Sequence, residues 1–251
     1  MEKNNMKKIV VTGALLLGMQ YGYAKVDMEQ MMNSYQSGNY GTALKLAKEN
    51  LQDDEKSHGK NSAESAIAHN ILGMILNNLN EHHKAIDHYE RAISIVNALE
   101  PKKRDTETLE TAYTNLASLY SDSNDFTKAL EYYKKVLEYR EDENFINHDK
   151  AWMTALFIGK IYMSKDDYDN ALSYFTKANK SSTTLSAKIT VLDHYAQLGE
   201  AFKKYKVILL ANQELLKIVK EFKQTPEIVE AIKEYKSNIA RAKSNLNKGA
   251  K

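Results

Sequence analysis

Five alanines, Ala43, Ala85, Ala129, Ala171 and Ala211, stand 42, 44, 42 and 40 residues apart, and their surroundings recur with them. Three positions ahead of each is Tyr40, His82, Phe126, Tyr168 or Ile208; four positions behind is Ala47, Tyr89, Tyr133, Phe175 or Leu215. Thirteen residues before each of the last four alanines, a large aliphatic residue precedes a small one: Leu72-Gly73, Leu116-Ala117, Ile158-Gly159 and Leu198-Gly199. Three residues after the small one comes Leu76, Tyr120, Tyr162 or Phe202. A unit of this size cannot bury its own apolar side, so repetition at a fixed period dictates modules that lean on their neighbours.

Large, small, then large three positions later places a wide apolar stripe on a helix, with a gap through which a second helix approaches closely. A glycine inside a helix costs about 1 kcal/mol relative to alanine, so its return at one register marks a packing contact that offsets the cost. The polar segments Leu79-Asn80-Glu81, Ser123-Asn124-Asp125 and Lys165-Asp166-Asp167 supply turn and N-cap residues between two helices of each unit. Each unit therefore reads as an antiparallel helix pair. Only two prolines and ten glycines in 251 residues, with 43% apolar and 27% charged residues, argue against both disorder and a turn-rich β-sandwich.

The pattern resembles the tetratricopeptide repeat. Asn115-Leu116-Ala117-Ser118-Leu119-Tyr120, followed by Phe126, Ala129, Tyr133 and Val136, matches its signature best. His69, Leu72, Gly73, Leu76, Ala85, Tyr89 and Ala92 form one counterpart, and Ala155, Ile158, Gly159, Tyr162, Tyr168, Ala171, Phe175 and Ala178 another. The resemblance implies an all-α, right-handed α-α superhelix of about five helix pairs, at 27–60, 62–100, 105–143, 147–180 and 184–224, with a capping helix and tail at 225–251. The period exceeds the family's usual one of about 34 residues, so helices or connections must be longer. The first pair is atypical, with Met28, Met31, Met32 and Tyr35 where the helix signature belongs. Thr225-Pro226-Glu227 reads as a helix start, and Ile228, Ile232, Tyr235, Ile239, Ala242 and Leu246 as the stripe of a terminal cap.

Residues 1–24 read as a secretory leader. Lys3, Lys7 and Lys8 precede an apolar run from Ile9 to Met19, and Gly22-Tyr23-Ala24 is a small-x-small exit, with cleavage expected after Ala24. The run is shorter than the roughly 20 residues that cross a bilayer, so no membrane span is expected after cleavage, and the mature chain is expected to be periplasmic or secreted. Met6 offers an alternative start that keeps the leader. Charge is unevenly spread: residues 25–202 sum to −7 and residues 203–251 to +7. The absence of cysteine excludes disulfides, thiolate metal sites and a lipidated N-terminal cysteine. A neutral mature chain without a basic and aromatic stripe argues against nucleic acid as a partner.

No phosphate-cradling loop, dinucleotide fingerprint, nucleophile elbow or HExxH string occurs, so neither an enzyme nor a cofactor is expected. His83 and Asp87, one turn apart and flanked by His82 and His88, are the densest metal-like cluster but lack converging ligands. Asp122, Asp125, Asp166, Asp167 and Asp169 read as turn and cap residues, and Tyr89, Tyr120, Tyr133 and Tyr162 as core. The tetratricopeptide resemblance implies a concave face lined by first helices. Its register gives Ile67, Asn70, Met74, Asn77 and Asn78; Thr111, Thr114, Asn115, Ser118 and Asp122; Met153, Leu156, Lys160 and Met163; and Asp193, Glu200, Lys203 and Lys204. Asn, Thr and Ser suit the backbone of an extended peptide, and Met and Leu offer adaptable apolar pockets. Asn115 fits a position used by relatives that clasp a terminal carboxylate, but Thr111, Met153 and Phe157 stand where their cations would be. The expectation is an exported scaffold that binds a protein or peptide through this groove. Its alternatives are an envelope assembly subunit, including a homo-oligomer, and a cytoplasmic regulator with an uncleaved N-terminus.

Overall fold

The structure is a computed structural model that describes residues 25–142, 147–223 and 225–249; the expected leader lies outside them. All regular structure among the described residues is helical. The chain divides into two compact units at Tyr139 and Arg140, in the last turn of one helix.

The first unit holds three helix pairs: α1 Lys25–Gln36 with α2 Tyr40–His58, α3 Ala63–Asn78 with α4 His82–Ala98, and α5 Thr106–Asp122 with α6 Phe126–Glu141. The second holds α7 Ala151–Ser164 with α8 Tyr168–Ser181, α9 Leu185–Ala201 with α10 Tyr205–Val219, and a final helix α11 Pro226–Gly249 packed on α10. Every turn inside a pair is three residues long, whereas connections between pairs range from three residues to the nine of 142–150.

Those inner turns share one geometry. Gly38, Asn80, Asn124, Asp166 and Lys203 all take the left-handed conformation, with φ of 79°, 61°, 61°, 57° and 54°. The amide after each bonds the carbonyl five residues back, as in Glu81 to Leu76 at 2.9 Å, Asp125 to Tyr120 at 2.9 Å and Lys204 to Gly199 at 2.8 Å. The left-handed residue's own amide bonds three back, so two orphan carbonyls at each helix end are satisfied. Gly, Asn and Asp tolerate this backbone; Lys203 adopts it without such a preference. The next helix is then capped by Asn39, Asp125 or Asp167, whose carboxylate or amide oxygen accepts a first-turn amide. Thr225 caps α11 in the same way ahead of Pro226.

The repeated glycines are where helices of a pair meet. A Cβ on Gly73 would lie 2.6 Å from the ring of Tyr89, and one on Gly159 would collide with the ring of Phe175. Both rings are fully buried, which is worth about 1.5–3 kcal/mol each and outweighs the glycine's cost in its helix. Met28, Met31, Tyr35, Ala43, Ala47, Ile67 and Ile71 share one apolar cluster in the first unit, so the atypical first pair is a packed part of the stack. In the second unit Leu192, Leu215 and Ile218 pack against Tyr235 of α11.

The fifth pair departs from the expected register. By analogy with Leu76, Tyr120 and Tyr162, Phe202 belongs inside the first helix, and α10 should open near Ile208. Instead Phe202, Lys203 and Lys204 form the turn and α10 opens at Tyr205, one helical turn early. Gly199 accordingly meets Ile208, whose side chain and backbone nitrogen would lie 2.7 and 3.0 Å from an added Cβ, instead of a ring.

Two substitutions test this packing. Gly159→Ala should lower the denaturant midpoint, because overpacking costs about 1–3 kcal/mol and exceeds the gain in helix propensity; Phe175→Leu in the same chain should recover part of the loss. An unchanged midpoint would show that the ring yields freely. Lys203→Gly should raise stability by about 1 kcal/mol by relieving the left-handed backbone.

Candidate functional site

The first-helix residues expected to line a groove split by depth. On α3, Asn70 and Met74 are buried, as is Ile67, while Asn77 and Asn78 are half-buried at its C-terminal end. On α5, Thr111, Thr114 and Asn115 are buried, Ser118 is half-buried and Asp122 exposed. On α7, Leu156 is buried, and Met153, Lys160 and Met163 are half-buried. These residues therefore stand at different depths of the first-helix face. Within the first unit α3 also packs against α5, and within the second α7 packs against α9, so the middle of each first helix is covered on more than one side. Lys203 and Lys204 are corrected, since they belong to the turn after α9. Asp193 is half-buried, and Glu200 is paired with Arg241 of α11.

The polar residues of this face are held by specific partners. The Asn78 amide donates to the Tyr35 hydroxyl at 2.7 Å and to the Met74 carbonyl at 2.9 Å. The Thr114 hydroxyl donates to the Glu110 carbonyl at 2.8 Å. Asn77 Oδ1 lies 3.0 Å from His82 Nδ1. Two amide atoms differ: Asn70 Oδ1 and Asn115 Nδ2 are buried without a hydrogen-bond partner. A buried amide left this way costs about 1–3 kcal/mol.

Models of the tetratricopeptide repeat match residues 32–98, 111–143 and 155–183. The chain belongs to the tetratricopeptide repeat family. Among solved structures, a putative kinesin light chain of nearly identical TPR-like repeats from Podosopora anserina is similar at a TM-score of 0.62 and 11% identity, over 88% of this chain and 96% of that one. BtubC (BKLC) from P. vanneervenii gives 0.58 at 15% identity, over 82% and 90%. MamA protein gives 0.51 at 15%, over 80% and 97%. At these identities the likeness shows the fold alone. No curated protein matches. The tetratricopeptide fold is a scaffold for protein interactions, and no described helix is long and apolar enough to cross a membrane.

A histidine pair lies inside the second tetratricopeptide unit. His69 Nδ1 of α3 and His88 Nδ1 of α4 are 2.9 Å apart, so one ring donates and the other accepts. The positions 44 residues on, Tyr113 and Tyr132, hold two stacked tyrosines with centroids 5.9 Å apart. Burial, then the facing imidazole and Arg91, pushes His69 down to about 4; burial also lowers His88, with Lys48 adding to it and Asp87 opposing it. His88 is thus committed to His69, and no group of three metal-ligating side chains occurs among the described residues. Buried Asp54, which accepts from the Asn50 amide at 3.1 Å, is pushed up to about 6 by burial. The sequence carried a signal for the histidine pair in its offset from Tyr113 and Tyr132; the burial of Asp54 left none.

The signs of these shifts differ. The folded state keeps His69 and His88 neutral, so their contribution is complete above the unfolded value near 6.5 and is lost as pH falls below it, for His69 toward about 4. Asp54 acts oppositely and favours the fold below its raised value. His69→Phe with His88→Phe should therefore gain stability relative to the parent as pH is lowered from 7 to 5, read as the difference in urea midpoints. A constant difference across that window would mean that the rings carry no such shift.

Proposed function

We propose that this tetratricopeptide chain is an exported scaffold that binds a protein or peptide segment in the cell envelope through its first-helix face. Export rests on the three-part leader at residues 1–24. Binding at this face is supported above all by Asn70 Oδ1 and Asn115 Nδ2, an unmatched acceptor and donor on neighbouring helices α3 and α5. The backbone of an extended segment offers the complementary amide and carbonyl. Ser118, Asn77 and Asp122 extend this polar edge in the first unit. Met153, Met163 and Lys160 give the second unit adaptable apolar and cationic positions of its own.

Asn70→Ala with Asn115→Ala removes both orphan atoms at the cost of small cavities, so the variant should keep its helical content and cooperative melting while capturing its envelope partner roughly 10-fold or more weakly. The bait is the chain beginning at Lys25, which mass spectrometry should also find as the N-terminus of protein recovered from the envelope. Undiminished capture would mean that water satisfies these amides and that the partner sits elsewhere. An intact Met1 in the recovered protein would remove export.

A further inference from the structure

The second unit holds an open pocket of about 640 Å³ lined from α8, α9, α10, α11 and the turn before α10. Tyr168 and Leu172 of α8, Leu192 of α9, Leu210 of α10 and Leu246 of α11 are among its apolar lining, and Lys203, Lys204 and Lys206 also line it. Leu210 is 57% exposed and Leu246 37%, an arrangement that leaves two leucines facing water beside a concave surface. The charges are unbalanced. Glu214 also lines the pocket but is paired with Lys188 at 3.1 Å. Among the described residues, none of the three lysines has an ion-pair partner, and Lys204 rests over the Tyr168 ring, 4.9 Å from its centroid. The +7 charge of residues 203–251 thus has a local focus where apolar side chains are also uncovered.

We infer that this pocket is a second docking site, for an acidic segment of another protein that places an apolar side chain on Leu210 and Leu246 and its carboxylates on Lys203, Lys204 and Lys206. Three cations without counter-ions draw an acidic ligand, and the leucines give it an anchor whose burial sets the dissociation rate. A concave cleft admits a protruding side chain, which favours a peptide over the flat surface of an anionic bilayer. The inference is independent of the Asn70 and Asn115 amides, since neither residue lines this pocket.

The test uses the chain from Lys25 to Lys251 and a fluorescein-labelled decapeptide of Asp and Glu flanking a central Leu-Phe pair. Two control peptides replace the acids with Asn and Gln, or the Leu-Phe pair with Ser. The acidic apolar peptide should bind saturably, with each control at least about 10-fold weaker and affinity falling as salt rises. Leu210→Glu and Lys204→Glu with Lys206→Glu should each weaken binding about 10-fold or more while leaving the circular dichroism and melting of these exposed positions unchanged. Leu246→Ser serves as a second apolar variant should Leu210→Glu fail to fold. Asn70→Ala with Asn115→Ala should bind this peptide like the parent, which separates the two sites. Equal binding by the pocket variants, equal binding of all three peptides, or loss only in the asparagine variant would overturn the inference. So would preferential binding of phosphatidylglycerol vesicles, or light scattering in which Leu210→Glu abolishes a dimer.

Discussion

Rings seated over residues without a Cβ govern how the second and fourth helix pairs close. Tyr89 over Gly73 and Phe175 over Gly159 bring backbone and ring into contact inside each pair, and any side chain at the glycine would force helix and ring apart. The same approach explains why the second helices carry the bulk and the first helices the gaps. It also accounts for the depth of the first helices: a helix drawn this close to its mate, and packed against the next first helix of its unit, retains few side chains at the surface. The polar residues in the middle of α3 and α5 are consequently interior, and Thr114 bonds to its own helix.

Much of this architecture was legible in the sequence because it rests on spacing. Sixteen residues separate each of those two glycines from its ring, and Asn80, Asn124 and Asp166 mark their turns by chemistry that favours a left-handed backbone. The fifth pair was misread for the converse reason. Its turn is made by Phe202, Lys203 and Lys204, which carry no turn signal, and Leu198-Gly199 mimics the helix motif three residues away from where the other pairs hold it. The fold tolerates the mismatch because Ile208, Leu215 and Ile218 still fill the interior from the earlier start of α10.

The candidate surfaces were less legible. Register identifies which residues share a helix face, but depth depends on how close neighbouring helices come, and Asn115 and Ser118 lie three residues apart on one face with different burial. The pairing of His69 with His88 follows from the same geometry: at positions where another unit stacks two tyrosines, two imidazoles are left with each other and a shared proton. Leu210 and Leu246 could not be matched in advance, being 36 residues apart on different helices and brought to one pocket only by the docking of α11.

The uniform three-residue turns bear on how such a chain changes over generations. Inside a pair, the left-handed residue and its two bonds fix the length, so an added or lost residue there destroys the closure. Between pairs the connections already differ in length, and it is there that insertion and whole-hairpin duplication meet least resistance. The left-handed turn residues stand 42, 44, 42 and 37 residues apart, the record left by a polypeptide whose seams are elastic and whose hinges are not.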